Sequence, residues 1–146
     1  MGDAVKFFAI VALGALVIGA LLSQRGKAPG LTNGRLKPPG AKPNAVCSED
    51  DTPSTDHVDP LQGTLAEVRQ AIEATGGTIT TETDDYIAAT YASKLFRFVD
   101  DVEVRDAGKG TVHIRSASRV GYSDMGANRK RVERIRSALR DIQGDG

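Results

Sequence analysis

The chain has no tryptophan, one cysteine, two histidines and no formal net charge over 146 residues. Each of these absences removes a class of function. Without tryptophan, and with only three tyrosines and four phenylalanines, there is no stacking platform for single-stranded nucleic acid. A balanced charge sets up no field toward a polyanion, so nucleic acid is not expected as a partner. A lone cysteine, Cys47, admits no internal disulfide. It reads as an ordinary thiol near the edge of the folded part, with intermolecular pairing or a reactive thiol as the other readings. One cysteine and two separated histidines make no zinc site, so no metal and no cofactor are expected. The sequence also lacks a Walker-type lysine, a Gly-x-Ser-x-Gly elbow and an HExxH pair, so no catalytic residue is assigned.

What is present begins with an apolar run. From Phe7 to Leu22 there is no polar side chain (FFAIVALGALVIGALL). As a helix this run spans roughly 24 Å, against a hydrocarbon core of about 30 Å. Val5, the Lys6 stem and Ser23 extend it, with Lys6 reaching the interface. The preferred reading is an uncleaved single-pass anchor, with membrane contact through this run. A cleaved signal peptide is the rival, but its best small-x-small site, Val17-Ile18-Gly19, would leave two leucines at the new terminus. A buried soluble helix is the third reading. No cysteine follows the run to take a lipid, and the position after Gly2 favoured for myristoylation is held by Lys6. Arg25, Lys27, Arg35, Lys37 and Lys42 follow the run, which by the positive-inside rule argues for a cytoplasmic domain. Signal-anchor logic argues for an extracytoplasmic one, which is the side preferred here.

Three segments are expected: residues 1–23 as anchor or signal segment, 24–46 as a basic linker rich in Pro and Gly, and 47–146 as the folded domain. Pro29, Pro38, Pro39 and Pro43 make the linker an extended, semi-rigid spacer. Its basic residues suit anionic lipid. About a hundred residues remain for one modest core, with on the order of 65% of the unfolded surface buried.

Residues 48–59 are acidic and polar and read as a loop, with a short edge strand at His57-Val58. Residues 64–75 predict a helix. Thr64 and Glu67 form a capping box, Leu65, Val68, Ala71 and Ile72 make one stripe, and Gly76-Gly77 ends it. Four strands follow at 78–83, 86–93, 96–105 and 111–118, the last two joined by a hairpin loop at 106–110. From about Gly126 the pattern is helical again, with Val132, Ile135, Leu139 and Ile142 on one stripe. Asp124 or Ser123 caps its start. Arg129, Lys130, Arg131, Arg134, Arg136 and Arg140 fill much of the rest. They read as a solvated face, or as a contact for anionic lipid or an acidic partner. No strand pair encloses a helical crossover, so the strands are antiparallel neighbours. The expected fold is α+β: an antiparallel sheet of four to five strands, two helices on one face, and a transmembrane helix and linker in front.

The charged hairpin is the candidate site. Period-two alternation places Phe96, Phe98, Val102 and Val104 on one face, with Asp100 among them. Arg97, Val99, Asp101, Glu103 and Arg105 take the other. The partner strand divides likewise, with Val112, Ile114, Ser116 and Ser118 against His113, Arg115, Ala117 and Arg119. A tight hairpin pairs Val104 with Val112, which sets Asp101 opposite Arg115 and Glu103 opposite His113. A shift of two residues would move the pairs and keep the faces. Two readings remain open, a surface lattice of ion pairs and a binding site. Asp100, on the apolar face, needs partners there, such as Ser116, Ser118 or the Gly121–Gly126 backbone. The loop from Arg119 to Asn128 joins a sheet edge to a helix start, where backbone donors suit an anion.

Two stretches, YIAATYASKLFRFVDDVEV and RSASRVGYSDMGANRKRVERIR, resemble domain-of-unknown-function family 1499, and the Pro-Asn-x-Val-Cys-Ser entry at Pro43 to Ser48 is similar too. The resemblance covers roughly Arg35 to Leu139. It implies a small α+β domain, often behind a membrane or export segment. Ala88 stands where the resemblance implies histidine in many relatives. The function expected is a membrane-tethered envelope accessory or binding domain. Asp100, Asp101, Glu103, Arg115, Arg119, Asp124, Asn128 and Arg131 would orient a polar or anionic ligand or a partner segment. The alternative is a hydrolase with Asp100 or Asp101 as general base and Arg115 or Arg119 holding an anion. The sequence does not set the oligomeric state.

Overall fold

Leu36, Cys47, Tyr86 and Ala88 form a small apolar cluster on one side of a β-sheet, and sixteen buried residues form the main core on the other. This division organises the computed structural model, which describes residues 2–144. The elements run α1 (Gly2–Gln24), β1 (Leu31–Thr32), β2 (Arg35–Leu36), β3 (Ala45–Cys47), β4 (Leu61–Gln62), α2 (Leu65–Ala74), β5 (Thr78–Glu82), β6 (Tyr86–Ala92), β7 (Val99–Gly108), β8 (Thr111–Ser118) and α3 (Ala127–Gly144). The outer ends of the first and last expected segments, Met1, Asp145 and Gly146, lie outside the described residues.

The fold is α+β, as expected. Six strands form one antiparallel sheet in the order β3-β8-β7-β6-β5, with β4 also on β8. The two additional strands, β3 and β4, share the outer edge of β8. Ala45 to Cys47 is buried throughout and too short for alternation to reveal it. His57 makes only an isolated bridge to Cys47, and the pairing segment comes after Pro60, at Leu61.

Helices α2 and α3 cover the main core. Thr64 caps α2 with both bonds of the capping box in place, which satisfies donors that the first turn would otherwise leave bare. Val68, Ala71 and Ile72 of α2, and Val132, Ile135 and Leu139 of α3, meet Val102, Val104, Val112 and Ile114 of the central strands. Asp124 accepts hydrogen bonds from the Gly126 and Asn128 backbone N–H groups at the head of α3.

Two expectations about the hairpin are corrected. The register is displaced by two residues, with Val104 on Ile114, Glu103 on Arg115, Asp101 on Ala117 and Arg105 on His113. The strands continue to a two-residue loop, Lys109-Gly110, where φ is 55° and 74°, the sense that matches strand twist. A bulge before Gly108 takes up the odd residue. The third strand also begins later than expected, at Val99. Residues 93–98 form a turn with Arg97 at φ 58°, so Phe96 and Phe98 are absent from the main core.

Helix α1 is long and apolar enough to cross a membrane: 23 residues, or about 34 Å. Most of it is exposed, and Ala20 and Ser23 in its last turns are buried against the domain. The following segment differs from the spacer expected. Residues 25–36 lie on the second face of the sheet, ending in the β1–β2 hairpin, with Leu36 fully buried and Ala28 and Leu31 beside it. Proline and glycine here shape a strap that follows the sheet.

Candidate functional site

The eight residues singled out in the sequence divide between the two faces of the sheet. Asp101, Glu103, Arg115 and Arg119 lie under the strap. Asp100, Asp124, Asn128 and Arg131 lie at the end of the helical face, where α3 begins.

Under the strap, Glu103 is fully buried. Its Oε1 accepts from the Gly30 N–H at 2.9 Å and from the Tyr86 hydroxyl at 2.7 Å. Its Oε2 accepts from Arg115 Nη1 at 3.2 Å. Asp101 is held in a two-pronged pair by Arg119, with both N···O distances 2.8 Å. The third arm of Arg119, Nη1, donates to the Ser23 carbonyl at 2.9 Å. Ser23 Oγ accepts from the Val99 N–H at 3.1 Å. The last turn of α1 is therefore bonded to β7 and, through Arg119, to the end of β8. The expected open lattice of ion pairs is instead a buried network, and its cover is the chain's own N-terminal segment. Charges taken from water need partners and hydrogen bonds to persist, and the strap supplies some of both.

A third carboxylate, Glu49, was missed in the sequence because it stands in an acidic stretch that reads as loop. It is fully buried and accepts from Arg105 Nη2 at 2.8 Å and from the Leu36 N–H at 3.0 Å, with Arg35 at 3.3 Å. His113 pairs with Ser48 at 2.9 Å rather than with Glu103. The available signal was local: Arg35-Leu36 is a charged and apolar pair inside a polar spacer.

Burial pushes the Glu49 carboxyl up, but bonds from Arg105 and Leu36 and the nearby positive charge outweigh it and hold it below the ordinary range. A depressed carboxylate contributes stability that is present above its unfolded value, about 4.3, and is lost as pH falls through the folded value. Urea midpoints should therefore fall in acid below about pH 4.3, and Glu49→Gln should flatten that acid limb. An unchanged limb in the variant would remove Glu49 from the account. Burial and the Glu103 carboxylate push Tyr86 above its ordinary value, so its phenol stays a donor across the working range.

At the helical end, Arg131 Nη2 donates to Asp100 at 2.7 Å, and Nη1 donates to Asn128 Oδ1 at 2.7 Å and Ser116 Oγ at 3.1 Å. The Asn128 amide donates to Asn44 O, Ser118 Oγ and Asp124. The Arg131 guanidinium also lies 5.0 Å from the Tyr91 ring centroid. This network joins α3 to β7, β8 and the entry to β3. Asp100 thus gains Arg131 as partner, and Ser116 and Ser118 bond to other members of the same network.

The basic face of α3 is partly internal. Arg129 and Arg136 donate to backbone carbonyls between Thr55 and Pro60, and Arg131 is buried. Lys130, Arg134 and Arg140 are exposed.

Between strap and sheet edge lies a cleft of about 400 Å³ lined by Gly26, Lys27, Gly30, Thr80, Thr81, Tyr86 and Arg119 among others. Of the eight predicted site residues, Arg119 stands in its wall. No group of three or more metal-ligating side chains is present among the described residues. Ala88 is buried and pairs with Glu103 across the strands, so the position carries no polar group under the strap.

The family model described as "Protein of unknown function (DUF1499)" matches residues 35–139. The matched region holds most of both networks; Ser23 and Gly30, which complete the one under the strap, precede it. No curated protein and no solved structure matches the chain.

Proposed function

We propose, starting from the fact that this chain belongs to the DUF1499 family of proteins of unknown function, that it is a single-pass, membrane-tethered accessory domain of the cell envelope that binds a small polar or anionic ligand. The observation that carries this reading is the cleft beside the strap. Lys27 offers an exposed cation there, Thr81 offers a hydroxyl and Thr80 a hydroxyl oxygen whose proton goes to the Ala88 carbonyl, and Gly26 packs against the Arg119 side chain in the cleft wall. Few convergent polar groups in a concave site are what a small-ligand site requires. Binding is preferred to hydrolysis because Asp100 and Asp101 are each engaged by an arginine and neither lines the cleft, which leaves no unpaired carboxylate there to act as a base. The domain is placed outside the cytoplasm by signal-anchor logic.

Inorganic phosphate and glycerol phosphate are suitable first probes. Titrated against the full chain in detergent, either should shift the amide resonances of Lys27, Thr80 and Thr81. Lys27→Ala should weaken the effect roughly tenfold, the size of one charge-assisted hydrogen bond. Shifts confined to the exposed cations of α3 would place anion binding elsewhere and refute the cleft.

A further inference from the structure

Outside α1, three large apolar residues are strongly exposed among the described residues: Leu95 at 81%, Tyr122 at 70% and Met125 at 89%. All three lie in two loops at the same end of the sheet. Leu95 is in the β6–β7 turn, and Tyr122 and Met125 are in the β8–α3 loop. These loops adjoin the strand ends formed by Ala92, Val99 and Ser118, which are neighbours through their pairing.

The course of the strap fixes which way this end faces. Gly30 bonds Glu103, Ser23 bonds the Val99 N–H, and Gly19 lies against the Phe98 ring, where an added Cβ would come within 3.1 Å. Going backward from Gly30 to Gly19, the contacts step along β7 to its start and off the sheet into the β6–β7 turn. Helix α1 leaves the domain at the end that carries Leu95, Tyr122 and Met125. Gly19 lies within the apolar run that ends at Leu22, so the turn touching it sits at the depth where hydrocarbon gives way to headgroups.

The local backbone supports a built feature. Met125 has φ 52°, a conformation that asparagine and glycine adopt more readily. A soluble fold gains nothing by holding methionine there with its side chain in water. Lys94 and Arg97 flank Leu95 and are both exposed, as is Lys130 beyond the second loop. Apolar tips bordered by cations match an interface of acyl chains beneath anionic headgroups, and tyrosine is a residue favoured at that level.

We infer that this end of the domain rests on the bilayer that holds α1, with Leu95, Tyr122 and Met125 inserted at the headgroup boundary. The domain is then seated against the membrane with a fixed orientation rather than held away from it. This inference rests on the reading of α1 as a membrane span.

The absence of tryptophan makes the test direct, because any introduced indole reports alone. Full-length Leu95→Trp, Tyr122→Trp, Ile10→Trp and Asp84→Trp are each placed in liposomes containing phosphatidylglycerol and a lipid brominated near the glycerol end of its chains. Ile10 is an exposed residue of α1 and reports the span. Asp84, at the far end of the sheet, controls for the indole's own affinity for membranes. Emission from Leu95→Trp and from Tyr122→Trp should fall roughly twofold on adding brominated lipid, as expected for side chains buried 5–10 Å into the interface, while Asp84→Trp is unaffected. A lipid bearing bromine deep in the chain should quench Ile10→Trp. Quenching at position 10 with none at 95 and 122 would overturn the inference and leave the anchor standing. No quenching at position 10 would remove the anchor, and the inference with it.

Discussion

Glu103→Ala is expected to cost about 3–5 kcal/mol of stability, the range for breaking a buried pair by removing one partner. Three donors lose their acceptor together: the Gly30 N–H, the Tyr86 hydroxyl and Arg115 Nη1. Arg115 already has a buried Nε without a partner, so its charge would be left with little compensation. Glu103→Gln should be milder, because an amide oxygen still accepts from Gly30 and Tyr86. The order wild type, Gln, Ala in urea denaturation is the check. A glutamine variant as weak as alanine would assign the whole effect to charge, and an alanine variant near wild type would show that the strap does not use this carboxylate. The loss of the Gly30 bond should also loosen the strap locally, before the sheet unfolds.

Arg131→Ala should cost a comparable 3–5 kcal/mol by a separate route, roughly the same buried-pair range. It strips Asp100 of its charged partner, removes donors from Asn128 and Ser116, and takes the guanidinium from beside the Tyr91 ring. The damage falls on the junction of α3 with β7 and β8. Arg131→Lys keeps the charge and loses the fork that serves Asp100 and Asn128 together, so it should fall between. Circular dichroism melts of the three proteins would rank them. Equal stability of Lys and wild type would show that charge alone matters there. The strap, on the opposite face, should stay seated in both variants.

These two effects fall on opposite faces of one hairpin, and the division was readable in the sequence. Alternation along Asp100 to Arg105 and Val112 to Arg119 assigned the charged side chains in both runs to the correct face, and a two-residue error in register did not disturb it, because side chains repeat with period two. The capping box at Thr64 and the stripe Val132, Ile135, Leu139 were equally plain, since helix geometry writes itself over many residues. What could not be read was the cover over the polar face. Its apolar contacts, Ala28, Leu31 and Leu36, are scattered among prolines and glycines with no period. Its hydrogen bonds come largely from backbone N–H groups, such as those of Gly30 and Leu36, which every sequence carries. Glu49 was hidden for a related reason: one buried carboxylate next to the exposed Asp50 and Asp51 looks like the rest. The two charged faces of the hairpin were thus readable from residue type and alternation, while the cover over one of them, the preceding segment of the same chain, is a tertiary fact, and of the cleft beside it only Arg119 was singled out.

That occupancy is most directly tested at Cys47, the only thiol in the chain. Cys47 is fully buried beneath the strap with Leu36 and Tyr86, and burial pushes its thiol above the ordinary range. The full chain, reconstituted in lipid, is exposed to a maleimide without denaturant. Wild-type Cys47 should label only as slowly as the whole domain unfolds, and Glu103→Ala should label at least roughly tenfold faster than its own global unfolding allows, through local release of the strap. Rapid labelling of the wild type, at the rate of a free thiol, would contradict a seated strap and return the charged face to solvent.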